Sequence, residues 1–156
     1  MRKQHKLLLF AIGLCIGLTV AVLSTHSTQA EKPPADTQAN DVQLLARCVN
    51  GEARGETYVG QVAVAAVILN RIKHPSFPKS LSAVIYQPGA FTAVDDGQIN
   101  VALETDSQVY KACEDATNGY DPTNGCIYYY NPATATNQWI FGRPVVTTIG
   151  KHKFAK

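Results

Sequence analysis

The sequence has little that could hold a metal ion or bind a nucleic acid. Of its four histidines, His5 and His26 belong to the N-terminal segment. His74 and His152 remain, and they are far apart and lack the spacing of metal ligands. We therefore predict no metal site and no cofactor. The 14 basic and 12 acidic residues form no basic stripe, so we expect no nucleic-acid partner.

A long apolar run is present only near the N-terminus. Residues 1–6 are basic and free of acids, residues 7–23 are almost wholly apolar, and small or polar residues follow up to Ala30. This order is typical of a secretory signal peptide, so residues 1–30 are predicted to be removed on export and the protein to be secreted to the cell envelope. A retained membrane anchor is the alternative, although the run is slightly shorter than the roughly 20 residues of a membrane-spanning helix.

Cysteine is scarce, and Cys15 lies in the predicted signal peptide. The three cysteines that follow are an odd number, so at most one intramolecular disulfide can form. Cys48 lies on an apolar helix face and is predicted to be a small core residue. Cys113 and Cys126 flank a predicted helix-to-strand turn. A disulfide between them and a pair of free thiols are both open alternatives.

Helical patterns come first in the chain and strand patterns last. Residues 31–40 are polar with paired prolines and are predicted to form a linker, and residues 41–156 a single domain. Helices are predicted near 41–54, 58–73, 80–87 and 106–118, a loop or hairpin at 90–101, and strands at 126–130, 144–149 and 152–155. Because no βαβ alternation occurs, the pattern predicts an α+β fold with a small antiparallel sheet.

Glu52 places a carboxylate on an apolar helix face. Leu45, Cys48, Val49 and Glu52 recur at spacings of three and four residues, so they share one face that should turn to the core. Burial disfavours the charged form of a carboxylate, so we expect a raised pKa for Glu52. A general acid needs a raised pKa to keep its proton near neutral pH. The competing interpretation is a frayed helix end with solvated charges.

Other charged residues lie close to Glu52 in the sequence. Arg54 follows it and could hold either neighbouring carboxylate. Glu56 is predicted near the N-terminus of the next helix, where the helix dipole favours an acid, so a capping role competes with substrate binding. A two-acid glycosidase also requires a second carboxylate. Three residues are candidates for it: Asp95, Asp96 and Glu104.

Aromatic residues are concentrated late in the chain. Rings that carry a polar group suit sugars, because they stack on the sugar ring and also form hydrogen bonds. On a strand, Tyr128 and Tyr130 share one face and Tyr129 takes the other. Tyr128, Tyr129, Tyr130 and Trp139 are therefore predicted to bind substrate, with core filling as the alternative.

Five segments follow one another through the predicted domain. They are LLARCVNGEARGE at 44–56, GQVAVAAVILNR at 60–71, SAVIYQPGAF at 82–91, ATNGYDPTNGCIYYYNP at 116–132 and RPVVTTIGKHKFA at 143–155. Together they resemble the cell-wall hydrolases related to the spore-cortex-lytic enzymes of germinating endospores. The segments have the family's order and cover nearly all of the domain, so the combination is highly specific although each segment alone is not.

The resemblance implies a lysozyme-like domain with a cleft between a helical part and a β part. It implies cleavage of the β-1,4 bond between N-acetylmuramic acid and N-acetylglucosamine in peptidoglycan, in spore cortex lysis during germination or in cell-wall remodelling. The family's catalytic glutamate is the first in the EARGE string, which is Glu52 in this sequence. Phe91, at the end of the third segment, joins Arg54 and Glu56 among the predicted substrate-binding residues.

Several activities stay open. Family members are described as lytic transglycosylases, and some as amidases or glucosaminidases. The leading hypothesis is a lytic transglycosylase that forms a 1,6-anhydro-muramic product with Glu52 as both acid and base. The alternatives are a hydrolytic muramidase, glucosaminidase or amidase, and a non-catalytic peptidoglycan-binding module. The expected partner is the glycan strand of peptidoglycan and the expected state a monomer, while the need for an accessory protein and the choice between cortex and vegetative wall are open.

Overall fold

Helices make up most of the described chain. The structure is a computed structural model that describes residues 35–156, with side chains from residue 38 onward, so the predicted signal peptide at 1–30 lies outside the described residues. The helices are α1 Ala35–Ala53, α2 Tyr58–Lys73, α3 Leu81–Ile85, α4 Thr92–Asp95, α5 Gln108–Thr117 and α6 Gln138–Phe141, with a 3-10 turn at Gln98–Asn100. None of these helices has the length and apolar character needed to cross a membrane.

A three-stranded antiparallel sheet packs beside the helices. Its strands are β1 Tyr128–Tyr130, β2 Val145–Ile149 and β3 His152–Ala155, in the spatial order β1-β3-β2. Gly150 joins β2 to β3 with a φ of 58°, a left-handed conformation that glycine adopts without strain. Helices followed by a small antiparallel sheet confirm the predicted α+β class.

α2 is the central helix of the core. Its residues from Gly60 to Ile68 are all buried, because nearly every position is apolar and the helix packs against α1, α3, α5 and the sheet. Thr57 is the N-cap of α2, and its hydroxyl accepts a hydrogen bond from the backbone N–H of Gly60 at 3.2 Å. The helix ends at Lys73, just before Pro75, which has no N–H to continue it. The predicted range of 58–73 is confirmed.

α1 turns its apolar face to this core, as its spacing predicted. Leu45, Cys48 and Val49 are at most 1% exposed, and Phe154 from β3 completes the same cluster. Full burial of a side chain as large as Leu45 or Phe154 contributes about 1.5–3 kcal/mol to stability relative to exposure. The packing therefore fixes the rotation of α1, and with it the direction in which Glu52 leaves the helix.

The first helix begins earlier than predicted. α1 starts at Ala35, so residues 35–40 are helical and do not belong to the predicted linker at 31–40. Two prolines come directly before Ala35, and proline is compatible with the start of a helix but not with its interior. Ala35, Gln38 and Ala39 then have helix-favouring side chains, so the helix extends back to the prolines.

The segment 90–101 forms no hairpin, contrary to one of the two predictions for it. α4 and the 3-10 turn occupy it instead. The Asp96 side chain accepts a hydrogen bond from the backbone N–H of Gln98 at 3.0 Å, and Gly97 has a φ of 79°. This Asp-Gly pair therefore links two short helical turns rather than two strands.

The disulfide alternative for Cys113 and Cys126 is wrong, because both are buried free thiols, as is Cys48. Cys113 lies in α5, which packs on α1 and α2. Cys126 follows a turn in which Asn124 has a φ of 56°, and its thiol donates to the carbonyl oxygen of Thr123 at 3.1 Å. The turn thus directs the Cys126 thiol back to its own loop.

Asp121 organises the turn between α5 and β1. Its Oδ1 accepts from the backbone N–H and the hydroxyl of Thr123, at 2.8 and 2.6 Å. Its Oδ2 accepts from Asn70 of α2 and from the N–H of Gly125, both at 2.9 Å. Burial alone would raise the pKa of Asp121, but these hydrogen bonds outweigh it and hold the pKa below its usual value. The turn therefore ties β1 to the central helix.

Candidate active site

Glu52 lies in the last turn of α1, half-buried, with both carboxylate oxygens hydrogen-bonded. Oε1 accepts from the backbone N–H of Ala93 at 2.8 Å. The approach of α4 that brings Ala93 within reach depends on Gly51, because a Cβ at residue 51 would overlap the side chain of Ala93. A glycine one residue before the acid is thus a packing requirement.

Tyr129 of β1 holds the other oxygen of Glu52. Its hydroxyl donates to Oε2 at 2.8 Å. Burial, and next the negative charge of Glu52, raise the pKa of Tyr129 well above its usual value, so the phenol stays protonated and remains a donor. The ring is fixed by His152 and Phe154, whose ring centroids lie 5.4 and 6.2 Å away.

A cleft of about 950 Å³ lies between the helical part and the sheet. The end of α1 and the loop after it, from Gly51 to Glu56, line one side, and Tyr128 to Asn131 of β1 and the loop after it line the other. Glu52 and Tyr129 reach across this boundary to each other. The predicted cleft between a helical and a β part is therefore present, with the predicted acid in its wall, and its volume is within the range of ligand-binding clefts.

Glu56 ties the β2–β3 turn to the end of α1. Its side chain is only 7% exposed, its Oε2 accepts from the backbone N–H of Lys151 at 3.0 Å, and its Oε1 lies 3.8 Å from Nδ1 of His152. The predicted capping role for Glu56 is wrong, because Thr57 caps α2. Glu56 does line the cleft, and its contact with substrate stays a prediction.

Arg54 lies exposed at the cleft and pairs with neither neighbouring glutamate. In the described part of the chain, the only contact within ion-pair distance joins the His152 imidazole and Glu56, and no arginine takes part in it. The prediction that Arg54 holds one of the two carboxylates is therefore wrong, and its guanidinium is free to meet a ligand in the cleft.

The three candidates for a second carboxylate differ in whether they line the cleft. Asp95 is exposed and lines the cleft, on the same side as α4. Both oxygens of Asp96 accept hydrogen bonds from Gln98, so this residue serves its own turn. Glu104 does not line the cleft.

Phe91 is a core residue and not part of the cleft. It is 2% exposed and does not line the cleft, which corrects its prediction as a substrate-binding residue. Its ring lies 5.1 Å from the guanidinium carbon of Arg71. The ring of Phe91 packs inward because burial of a large apolar side chain is favourable relative to its exposure to water.

Arg71 was not among the predicted site residues, although it is the first cation after the apolar part of α2. Its Nε donates to the carbonyl oxygen of Ile127 at 2.8 Å, and its guanidinium lies over the rings of Phe77, Phe91 and Tyr128 at 5.1–5.9 Å. Burial lowers the pKa of Arg71, while the charge of Glu52 raises it. Arg71 thus brings a half-buried positive charge to the cleft wall, since guanidinium stays protonated in proteins.

The predicted aromatic residues split between the cleft wall and its support. Tyr128 and Trp139 form one wall, edge to face at 5.1 Å, and Trp139 is 50% exposed. The guanidinium of Arg143 stacks on Trp139 at 3.9 Å. Tyr130 is buried against Phe141 and reaches the cleft with little of its surface, so it supports the wall more than it forms it.

His152 also lies in the cleft and was missed from the sequence. It is buried, and its Nδ1 has no hydrogen-bond partner within the described part of the chain. Burial lowers the pKa of His152, and the charges of Glu56 and Glu52 oppose this less strongly. The imidazole is therefore neutral at neutral pH. His152 lies far from Glu52 in the sequence, so residue spacing could not identify it as a site residue.

Comparisons with known proteins agree with this architecture. A family model described as cell wall hydrolase matches residues 55–155, a range that begins just after Glu52. The spore cortex-lytic enzyme of Halalkalibacterium halodurans is 56% identical over 126 residues, which are 81% of this chain and 38% of that protein. The corresponding enzyme of Bacillus cereus is 51% identical over 85% of this chain. The chain spans 38% to 54% of the length of these two relatives.

Two solved structures have the same fold. The catalytic domain of the Bacillus cereus SleB protein is 56% identical, with a TM-score of 0.71, over 76% of this chain and 91% of that domain. The catalytic domain of the germination-specific lytic transglycosylase SleB from Bacillus anthracis is 53% identical, with a TM-score of 0.74, over 80% of this chain and all of that domain. By sequence and fold, the chain belongs to the cell wall hydrolase family.

Proposed function

We propose that this protein cleaves the β-1,4 bond between N-acetylmuramic acid and N-acetylglucosamine in peptidoglycan as a lytic transglycosylase, with Glu52 as its catalytic acid and base. The observation that carries the proposal is the placement of Glu52 in the cleft wall, held at both oxygens by Ala93 and Tyr129. Because two fixed donors hold its oxygens, the carboxyl group can face a bound glycan strand in only one orientation.

In the first step, the protonated carboxyl of Glu52 gives its proton to the glycosidic oxygen. The bond between that oxygen and C1 of the muramic sugar breaks, and the glucosamine part leaves with a free hydroxyl. The transition state resembles an oxocarbenium ion, which the carboxylate formed on Glu52 stabilises by its negative charge. The hydroxyl of Tyr129 and the N–H of Ala93 keep this carboxylate in place as its charge develops.

In the second step, Glu52 takes a proton back. The C6 hydroxyl of the same muramic sugar attacks C1, and its proton passes to the carboxylate of Glu52, which restores the acid. The product is a 1,6-anhydro sugar, formed without water. Positioned proton transfer of this kind contributes about 10²- to 10⁴-fold to the rate. A single acid suffices because its two roles follow one another.

A hydrolytic muramidase is the second candidate, and Asp95 is the observation that favours it. Asp95 is a second carboxylate lining the same cleft as Glu52, the arrangement that a two-acid glycosidase needs to activate water. Mass spectrometry of the released fragments separates the two reactions. Anhydro-muramic ends support the transglycosylase, and reducing muramic ends support hydrolysis.

We infer that the substrate is the spore cortex or a related cell wall and that the protein acts outside the membrane after export. The relatives named spore cortex-lytic enzymes and the germination-specific SleB domain support the cortex. The basic, apolar and small-residue order of residues 1–30 supports export. Digestion of purified cortex and vegetative sacculi side by side tests the substrate, and N-terminal sequencing of the exported protein tests removal of residues 1–30.

Glu52→Gln tests the catalytic assignment. Gln keeps the size of the side chain but cannot deliver a proton, so release of soluble fragments should fall at least about 100-fold while the melting temperature is nearly unchanged. Glu104→Gln, which removes an exposed carboxylate outside the cleft, is the matched control and should digest sacculi like the wild type. Undiminished release by a folded Glu52→Gln protein contradicts the proposal. If the wild type binds sacculi but releases no fragments, the protein is a binding module.

A further inference from the structure

A second cavity lies beside the cleft and shares a wall with it. Its volume is about 470 Å³, within the range of small-ligand sites. Tyr128 lines both the cavity and the cleft, so the two spaces meet at this ring. His74, Arg143 and Lys156 contribute the ionisable side chains of the cavity.

Two of the side chains that line the cavity are cations, and none is a carboxylate. Arg143 and Lys156 are cations, and neither forms an ion pair with a carboxylate of the described residues. The backbone N–H of Lys156 donates to the carbonyl oxygen of Pro144 at 3.1 Å, and its ammonium lies above Gly125. Asp121, at the base of the same turn, directs its oxygens to donors within the fold. The cations are therefore available to an external anion.

His74 adds a ring N–H donor to this cavity. Its Nδ1 accepts a hydrogen bond from the backbone N–H of Ser76 at 3.2 Å. Because Nδ1 accepts, the ring N–H lies on Nε2, which has no acceptor among the described residues. The ring is held edge to face against Phe77 at 5.7 Å. A fixed N–H donor beside two cations is a surface suited to a carboxylate.

Arg143 links the cavity to the path of the glycan. Its guanidinium stacks on Trp139 at 3.9 Å and on Tyr128 at 5.2 Å, and both rings line the cleft. A strand bound along these rings therefore passes next to the cavity. We propose that the cavity is a subsite for a carboxylate of a peptide attached to the glycan strand, an inference that rests on the proposed function and deepens it.

The test compares two substrates. One is a purified glycan with its peptides, and the other is the same glycan after an amidase has removed them. The ratio of the two kcat/KM values measures the preference for peptide-bearing strands. Lys156→Gln and His74→Gln should each reduce this ratio about three- to tenfold, the effect of losing one charged or fixed hydrogen bond. Lys111→Gln, which removes an exposed lysine of α5 outside both cavities, should leave the ratio at the wild-type value.

A binding measurement distinguishes the source of the anion. The folded Glu52→Gln protein is titrated with an N-acetylated acidic tetrapeptide and, separately, with inorganic phosphate, while the amide resonances of Ser76 and Gly125 are followed. Shifts with the peptide that are lost in Lys156→Gln support the subsite. Shifts with phosphate alone, or an unchanged preference ratio in both variants, overturn it. If the wild-type protein cleaves neither glycan, the proposed function itself has failed.

Discussion

At the residue scale, the site consists of one acid and the groups that hold it. Glu52 is fixed by a backbone N–H from α4 and by a phenol from β1, so its orientation depends on two elements that are far apart in the sequence. Neither donor has to reach the substrate to matter for the reaction. We therefore propose Tyr129 as a positioning residue, and its predicted contact with sugar stays a prediction.

Tyr129→Phe should lower kcat with little change in KM. The substitution keeps the ring but removes the hydrogen bond to Glu52, and a hydrogen bond to a charged group is worth about 1.5–3 kcal/mol, or roughly ten- to a hundredfold in rate. Steady-state kinetics on soluble glycan fragments and a melting curve measure the two effects separately. Tyr120→Phe, at an exposed tyrosine outside the cleft, is the control. A rise in KM with unchanged kcat would mean that Tyr129 binds sugar instead.

His152 should make the stability depend on mildly acidic pH. Burial lowers the pKa of His152, and the positive charge of Lys151 lowers it further. The negative charges of Glu56 and Glu52 raise it, but by less. Below about pH 6.5 the unfolded chain takes up a proton that the folded protein resists, so the free energy of unfolding falls as pH falls. Denaturant unfolding at pH 7.5 and 5.5 should show a smaller loss for His152→Gln than for the wild type. An equal loss in both would contradict this assignment, and His74→Gln is the histidine control.

At the element scale, the β2–β3 turn is built around the carboxylate of Glu56. Gly150 has a left-handed φ, and a Cβ at this residue would overlap the carboxylate of Glu56, so a side chain at residue 150 would meet both strain and overlap. The turn carries Lys151 and His152, which line the cleft. The position of the sheet relative to α1 thus depends on a contact between a loop and a hairpin.

Gly150→Ala should destabilise the protein more than Gly89→Ala. Both glycines have left-handed φ values, 58° and 68°, so each alanine carries a backbone cost of about 1–2 kcal/mol. Only at residue 150 would the new Cβ also displace Glu56, whereas the space beside Gly89 is open. Melting temperatures of the two variants give the comparison. Equal losses would mean that Glu56 moves aside without cost.

At the scale of the whole molecule, local signals predicted the fold well. The range of α2 followed from its apolar composition and from Pro75, and Gly150 marked the β2–β3 turn. Glu52 was found because the helix period places it on a face that packing then fixes. These features depend on neighbours within a few residues, which the sequence displays directly.

The rest of the site depends on contacts between distant residues. Tyr129 meets Glu52 across 77 positions, and His152 reaches Glu56 from the other end of the domain. The sequence also does not show which way the side chain of Phe91 points or how far apart Cys113 and Cys126 lie, so neither the burial of Phe91 nor the two free thiols could be predicted. Period and spacing describe a single element, whereas a cleft is made where several elements meet.

The narrow gap beside residue 51 has a consequence for how this protein can vary. α1 and α4 touch there at a separation that admits a hydrogen atom but no methyl group. Even alanine would act as a wedge, pushing the donor of residue 93 away from the acid while the acid itself stayed intact. Under the proposed function, a single carbon that never meets the sugar would silence the chemistry, and a sequence survey that looks only for the glutamate would count such an inert protein as active.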